Sequence, residues 1–384
     1  MHPTGHGTLR EGATSVGRQL PEEKRQNPLG KDGGRRERRV VPGKKVDSAL
    51  GELSPNSDHR MKLGKGEWAL TLRAHGVVTE NVVVVGKKAT GKSYFAHAMV
   101  EEMLALYPRA KLREAGISVV IFAPSGGWWG IRAGRSGGAR GGSRVLTIGG
   151  EHADVPIDRR MGARLADLVD AVSPLPILVE MAELTVAEQQ ELVADFAEHL
   201  AMNQSRRLLH IVLDEAEDFL PTSPGKGPQL RAFHALDALI RNRRARGIAV
   251  TTVASRLANL NHNVTSQAGR FILFGAVSPQ DLDAVGELVR YGSPDGADQL
   301  SAQVARQGVG EAIHLTFGEN YGHARFHVRR LRTYDSHQVA PLGEDEKKPV
   351  KLATITSKAL KIARATLFPA KPVVEPSPPP ASSP

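Results

Sequence analysis

Hydrophobic residues in this chain gather in short, unbroken runs separated by longer amphipathic stretches. Val82–Val85, Ile117–Phe122, Leu208–Leu213, Ile248–Val253 and Phe271–Phe274 are apolar without alternation. A strand exposed on one face would alternate with period two, so unbroken runs of this length predict strands buried on both faces of a mostly parallel sheet. The stretches between them predict helices with readable starts. Tyr94–Leu106 follows the first strand. Thr185-x-x-Glu188 is a capping box ahead of Glu191–Asn203. Ser278-Pro279-x-Asp281 supplies an N-cap, a proline at the first helical position and a carboxylate in the first turn. Glu311–Phe317 and His323–Arg330 flank Gly318–Gly322 and predict a hairpin within residues 310–330. Strands alternating with helices give an α/β fold, a mostly parallel sheet flanked by helices.

Both ends of the chain break this pattern. Residues 1–60 lack periodicity and include Gly33-Gly34-Arg35-Arg36-Glu37-Arg38-Arg39, which predicts a disordered basic arm. Residues 346–384 form a basic, Pro-rich tail, within which Thr354–Leu367 is a basic amphipathic piece expected to be a solvated helix. Residues 61–345 are then the folded domain, a size a 384-residue chain allows.

Composition narrows the chemistry. The chain has no cysteine, which excludes disulfides, thiol nucleophiles and cysteine-ligated zinc. No apolar run approaches the roughly 18–20 residues of a membrane span, and the N-terminus has no apolar signal core, so a soluble, cytoplasmic protein is expected. The net charge is +10, and the first 65 residues hold 14 Lys/Arg against 8 Asp/Glu. Such a basic arm suits a polyanion or serves solubility.

The strongest chemical signal follows the first strand. Gly86-Lys87-Lys88-Ala89-Thr90-Gly91-Lys92-Ser93, with Tyr94 next, is the phosphate-loop pattern G-x-x-x-x-G-K-[ST] between a buried strand and a helix N-terminus. Glycine lets the backbone approach phosphate closely, and loop N–H groups can point at phosphate oxygens. Lys92 is placed to charge-pair with the β- and γ-phosphates of ATP, and Ser93 to offer a hydroxyl to Mg²⁺. Hydrolysis also needs an acidic strand end. Leu208–Leu213 runs into Asp214-Glu215, a Walker B pattern, with Asp214 expected to help hold Mg²⁺ and Glu215 to act as general base on water. The glutamate after the aspartate argues against a small-molecule kinase. Arg241–Gly247 carries four arginines at a helix end. They can cap the helix dipole or supply an arginine finger to a neighbouring subunit. Pro124–Ser143 holds eight glycines, with Trp128, Trp129, Arg132, Arg135 and Arg140. It reads either as a DNA-facing loop of arginines and stacking tryptophans or as a mobile insertion whose tryptophans pack on the core.

Taken together these motifs resemble the HerA/FtsK superfamily of P-loop ATPases, especially bacterial HerA-like ATP-binding proteins. The resemblance rests on the phosphate loop, Ile121–Gly126 before Trp129-Gly130-Ile131-Arg132, His210–Phe219, Arg244-Ala245-Arg246-Gly247-Ile248, Ala254-Ser255-Arg256 and Val264–Ala268, and spans about residues 62–345. It implies a RecA-like sheet, a hexameric ring and ATP-driven movement of DNA or, in some relatives, of secreted substrates. It also implies that Arg244 is the arginine finger. Two positions depart from the pattern. Ser255 stands where relatives carry glutamine, and Ala123 where they often carry aspartate. The arm is also too short and polar for the N-terminal β-barrel through which HerA meets its nuclease partner. The expected function is an oligomeric DNA translocase or helicase. A nucleotide-gated scaffold with slow hydrolysis, or a secretion or conjugation ATPase working with a membrane partner, is the alternative.

Overall fold

The computed structural model describes residues 60–66, 69–105, 117–202, 208–242, 247–276, 278–290, 294–316, 322–337 and 350–369. The arm at 1–59, the end of the chain from 370, and Arg244 lie outside the described residues.

The strands are β1 (Arg60–Lys62), β2 (Thr71–Arg73), β3 (Val82–Val85), β4 (Ser118–Ala123), β5 (Leu146–Ile148), β6 (Ile177–Glu180), β7 (Leu209–Leu213), β8 (Ile248–Ala254), β9 (Arg270–Phe274), β10 (Glu311–Thr316) and β11 (Gly322–His327). The helices are α1 (Ala74–Thr79), α2 (Lys92–Ala105), α3 (Gly162–Val172), α4 (Val186–Met202), α5 (Pro228–Asn242), α6 (His262–Ser266), α7 (Pro279–Arg290), α8 (Pro294–Ala305) and α9 (Ser357–Leu367). β1 and β2 form a small antiparallel ribbon. The other nine strands make one sheet in the order β11-β10-β9-β3-β8-β7-β4-β6-β5. From β9 to β5 every pairing is parallel, and β10 and β11 add an antiparallel hairpin beside β9.

The unbroken apolar runs follow from this arrangement. In β3, Val83 and Val85 enter one core with α3, α4 and α5, while Val82 and Val84 enter the other with α1 and α2. β4 divides likewise, Val120 and Phe122 against Val119 and Ile121. Successive side chains point to opposite faces, and both faces are dry. Between them lies β8, so the phosphate-loop strand β3 and the acidic strand β7 are not neighbours. The register pairs Val85 with Ala254, Thr252 with Leu213 and Leu213 with Phe122. Gly86, Ser255, Asp214 and Pro124 therefore all emerge at the carboxyl edge of the sheet.

The helix starts are chemically as expected. Thr185 and Glu188 cap each other reciprocally, Thr185 N donating to Glu188 Oε2 at 3.0 Å and Glu188 N to Thr185 Oγ1 at 3.4 Å. The helix they open begins at once, at Val186, earlier than the sequence pattern placed it. Four strands lie outside the runs read from the sequence. β1, β2 and β5 have three residues each, and β6 has four preceded by Pro174 and Pro176, so none carries a run long enough to read.

The C-terminal segment differs from a free tail. α9 buries Ala363 and Leu367 against the core that contains α3, and Arg164 Nη1 donates to Leu367 O at 2.9 Å. Upstream, Lys351 N donates to Gly137 O and Ala353 N to Arg132 O. The helix expected to be solvated is a strap across the domain.

Candidate functional site

The phosphate-loop sequence turns on residues that leave ordinary backbone space. Gly86 has φ +150°, and a Cβ there would lie 2.5 Å from the Cβ of Phe274. Gly91 has φ +104° and Ala89, which is not a glycine, +63°. Alternation of this kind makes a concave nest of backbone N–H groups. Neighbouring elements pin its shape: Lys87 N donates to Gly275 O, Gly310 N to Thr90 O, and Thr90 Oγ1 to Lys87 O at 2.7 Å. Lys92 Nζ donates to Lys87 O at 3.0 Å. Lys88 is exposed at the loop's outer rim. The Tyr94 hydroxyl turns away from the loop and accepts from Leu331 N at 2.9 Å.

β7 delivers the acidic pair to the same place. Asp214 N donates to Phe122 O, which extends the β4–β7 ladder by one residue. Asp214 Oδ1 lies 3.4 Å from Ser93 Oγ, and Oδ2 accepts from the indole Nε1 of Trp128 at 2.9 Å. Glu215 sits in the left-handed region, φ +49° and ψ +43°, a conformation that strains a residue with a side chain. Its carboxylate accepts from Ser125 Oγ. Burial pushes the Glu215 carboxyl above its usual range; Ser125 opposes this, and the charges of Asp214, Asp218 and Glu217 add to it. Burial lowers the Lys92 ammonium, against the pull of Glu217, Asp214 and Glu215.

Glu217 was not singled out by the sequence reading. It is the charge that most favours protonated Lys92, and it holds Ser255: Ser255 N donates to Glu217 Oε1 at 2.9 Å and its hydroxyl reaches the same oxygen. Glu217 Oε2 is buried without a partner. The Ser255 hydroxyl is thus committed to a carboxylate. The third acid of Asp214-Glu215-Ala216-Glu217 was the available signal.

The glycine-arginine segment contradicts the DNA-facing reading at Arg132. That side chain is buried, pairs with Asp154 at 3.1 Å, and donates to Thr147 Oγ1 and His152 O. Arg135 Nε donates to Leu331 O at 2.7 Å. Trp128 is wholly buried, and Trp129 stacks on Tyr334 with centroids 5.4 Å apart. Glu180 Oε1 collects the backbone N–H groups of Trp128 and Trp129, and Ser336 ties Gly127 to Gly130. Arg140 alone of the three arginines is exposed without such a contact on its guanidinium. The segment is a packed insertion built on the C-terminal part of the domain.

The donors that Ser93 and Asp214 offer are hard oxygens, which suits Mg²⁺. Among the described residues no group of three or more His, Cys, Asp or Glu could hold a metal. A metal here would complete its shell with phosphate and water, as Mg²⁺ commonly does. The residues present fit that ion.

The fold is that of a RecA-like P-loop NTPase. No protein-family model and no curated protein matches the chain. Among solved structures it is similar to the genome packaging NTPase B204 from Sulfolobus turreted icosahedral virus 2 in complex with ATP-gammaS, at 15% identity and TM-score 0.41, over 66% of this chain and 98% of that one. The bacterial conjugative coupling protein TrwB matches at 10% identity and TM-score 0.48, over 75% and 93%. EssC (ATPases 2 and 3) from Geobacillus thermodenitrificans matches at 9% and 0.39, over 80% and 48%. Likeness at this identity and TM-score carries no argument about superfamily, substrate or partner.

Proposed function

We propose that this chain is a Mg²⁺-dependent ATPase of the HerA/FtsK type, working as an oligomeric motor on DNA. The observation that carries the reading is the meeting of Ser93, at the start of α2, with Asp214, at the end of β7, beside Lys92 and Glu215.

The loop from Gly86 to Ser93, with the backbone of Tyr94, cradles the phosphates through N–H groups, and Lys92 exchanges Lys87 O for a β- or γ-phosphate oxygen. Ser93 and Asp214 would hold Mg²⁺, and the ion would supply charge neutralisation to the phosphates. Glu215, released from Ser125, accepts a proton from water as the water oxygen bonds to the γ-phosphorus. The bond from the γ-phosphorus to the β–γ bridging oxygen breaks, ADP leaves, and the proton later passes to phosphate or solvent. Arg244 reaches the γ-phosphate of a neighbouring subunit within a ring. The DNA reading draws support from the net charge of +10 and from the sequence resemblance.

Glu215→Gln tests the assignment. ATP binding is retained and turnover is abolished; normal turnover in that variant removes Glu215 as the base. Oligomeric mass with and without ATP and DNA tests the ring, and a monomer under all conditions removes both the ring and the trans arginine.

One observation favours a second reading. Ser125 holds Glu215 and Glu217 holds Ser255, which suits a nucleotide-gated protein whose basal hydrolysis is slow. Steady-state ATPase with and without DNA separates the two: strong stimulation supports the motor, and a flat low rate supports the gate. No helix among the described residues is long and apolar enough to cross a membrane.

A further inference from the structure

Asp214 is gripped from two sides. Ser93 and the backbone N–H of Glu215, at 3.1 Å, face Oδ1, and the indole N–H of Trp128 occupies Oδ2 at 2.9 Å. The indole has 0% exposure, so this charge-assisted bond is made out of reach of solvent, where such bonds are strong. The ring is itself immobilised. His97, one turn beyond Ser93 on α2, stacks on it with centroids 5.4 Å apart and planes 19° apart. His337 meets it edge-on at 5.6 Å, and Glu180 accepts its backbone N–H. Packing alone would ask for any large aromatic here. It does not ask for a donor aimed at the second oxygen of the carboxylate that faces the phosphate loop.

We propose that Trp128 is a positioning residue for Asp214: by occupying Oδ2 it turns Oδ1 toward Ser93 and makes the carboxylate a one-oxygen partner for Mg²⁺. This rests on the ATPase reading, which gives Asp214 its task. Mg²⁺ demands near-octahedral geometry, so a carboxylate free to rotate or to offer both oxygens is a poorer ligand. Partners one shell out from a metal commonly set ligand orientation in this way. Because His337 belongs to the segment that follows β11, the same contact ties that distant segment to the carboxylate.

The test replaces the N–H and keeps the shape. Trp128→Phe is the simple variant, and benzothienylalanine incorporated at position 128 preserves the bicyclic ring if phenylalanine destabilises the fold. Binding of a fluorescent ATP analogue is titrated at zero Mg²⁺ and across a Mg²⁺ series, with thermal unfolding followed in parallel. The expected result is unchanged affinity without Mg²⁺ and a Mg²⁺ midpoint raised about 10- to 100-fold. In an Asp214→Ala background the same replacement shifts nothing further. A Mg²⁺ midpoint equal to wild type in the benzothienyl protein overturns the inference, whatever happens to stability, and leaves the ATPase reading intact. A wild-type protein that shows no Mg²⁺-dependent nucleotide binding removes the ATPase reading, and the role of Trp128 falls with it.

Discussion

Ser125 Oγ lies 2.7 Å from each carboxylate oxygen of Glu215. The serine follows β4 and the glutamate follows β7, so the contact spans two adjacent strand ends at the carboxyl edge of the sheet. It binds the proposed base to protein while leaving it next to the phosphate loop. Ser125→Ala removes the restraint. Basal ATP turnover is expected to rise by up to about tenfold, the equivalent of one charge-assisted hydrogen bond of about 1.5 kcal/mol, with nucleotide affinity unchanged. Steady-state phosphate release measures it, and a fall in turnover would show instead that the serine keeps Glu215 in its working pose.

Burial and three neighbouring acids raise the Glu215 carboxyl, and a base works only when ionised. Activity therefore climbs with pH as Glu215 loses its proton, and the acid limb of the kcat profile lies above the usual glutamate range. Glu217→Gln removes one of the charges that raise it and shifts the limb toward lower pH. The same substitution deprives Lys92 of its largest charge partner, so the KM for ATP changes as well. A limb in the ordinary range for both proteins would remove Glu215 from the titration.

Gly86 has no room for a side chain. With φ at +150° and Phe274 Cβ 2.5 Å from where a Cβ would stand, Gly86→Ala forces β3 and β9 apart at the mouth of the loop. A cost of about 1–3 kcal/mol in stability is expected, in the range of overpacked cores, together with loss of nucleotide binding. Denaturant unfolding and equilibrium ATP binding read the two effects separately. Retained affinity would show that the loop tolerates a wider entrance.

Arg132 is structural. Arg132→Ala leaves Asp154 the Thr147 N–H but removes its buried cation, and the expected loss is about 3–5 kcal/mol of stability. DNA affinity per folded molecule, and its slope against salt, stay unchanged. A reduced slope for Arg132→Ala would restore the DNA-facing reading of the loop.

The readable parts of the sequence share a physical reason, as do the unreadable ones. β3, β4, β7, β8 and β9 lie inside a sheet covered on both faces, so their composition alone marks them. The phosphate loop and Asp214-Glu215 are local patterns whose chemistry is carried by adjacent residues. By contrast, the glycine-arginine segment owes its order to Leu331, Ser336 and Lys351–Ala353, about 200 residues away, and nothing within Pro124–Ser143 announces them. Trp128 and Glu217 enter the site through the same kind of tertiary placement. β6 escaped notice because Pro174 and Pro176 mask a four-residue strand that the neighbouring β4 and β5 hold in place.

The loop's attachment at Thr90 has a structural meaning. Thr90 O accepts from Gly310 N, and the carbonyl of that turn residue, after which β10 begins, accepts in turn from Val328 N. β10 and β11 are paired along their whole length, from Glu311–His327 to Thr316–Gly322. Gly310 therefore links the segment after β11 to the peptide two residues before Lys92 through one hydrogen bond on each side. The edge of the sheet and the phosphate cradle thus share Gly310 as a common anchor.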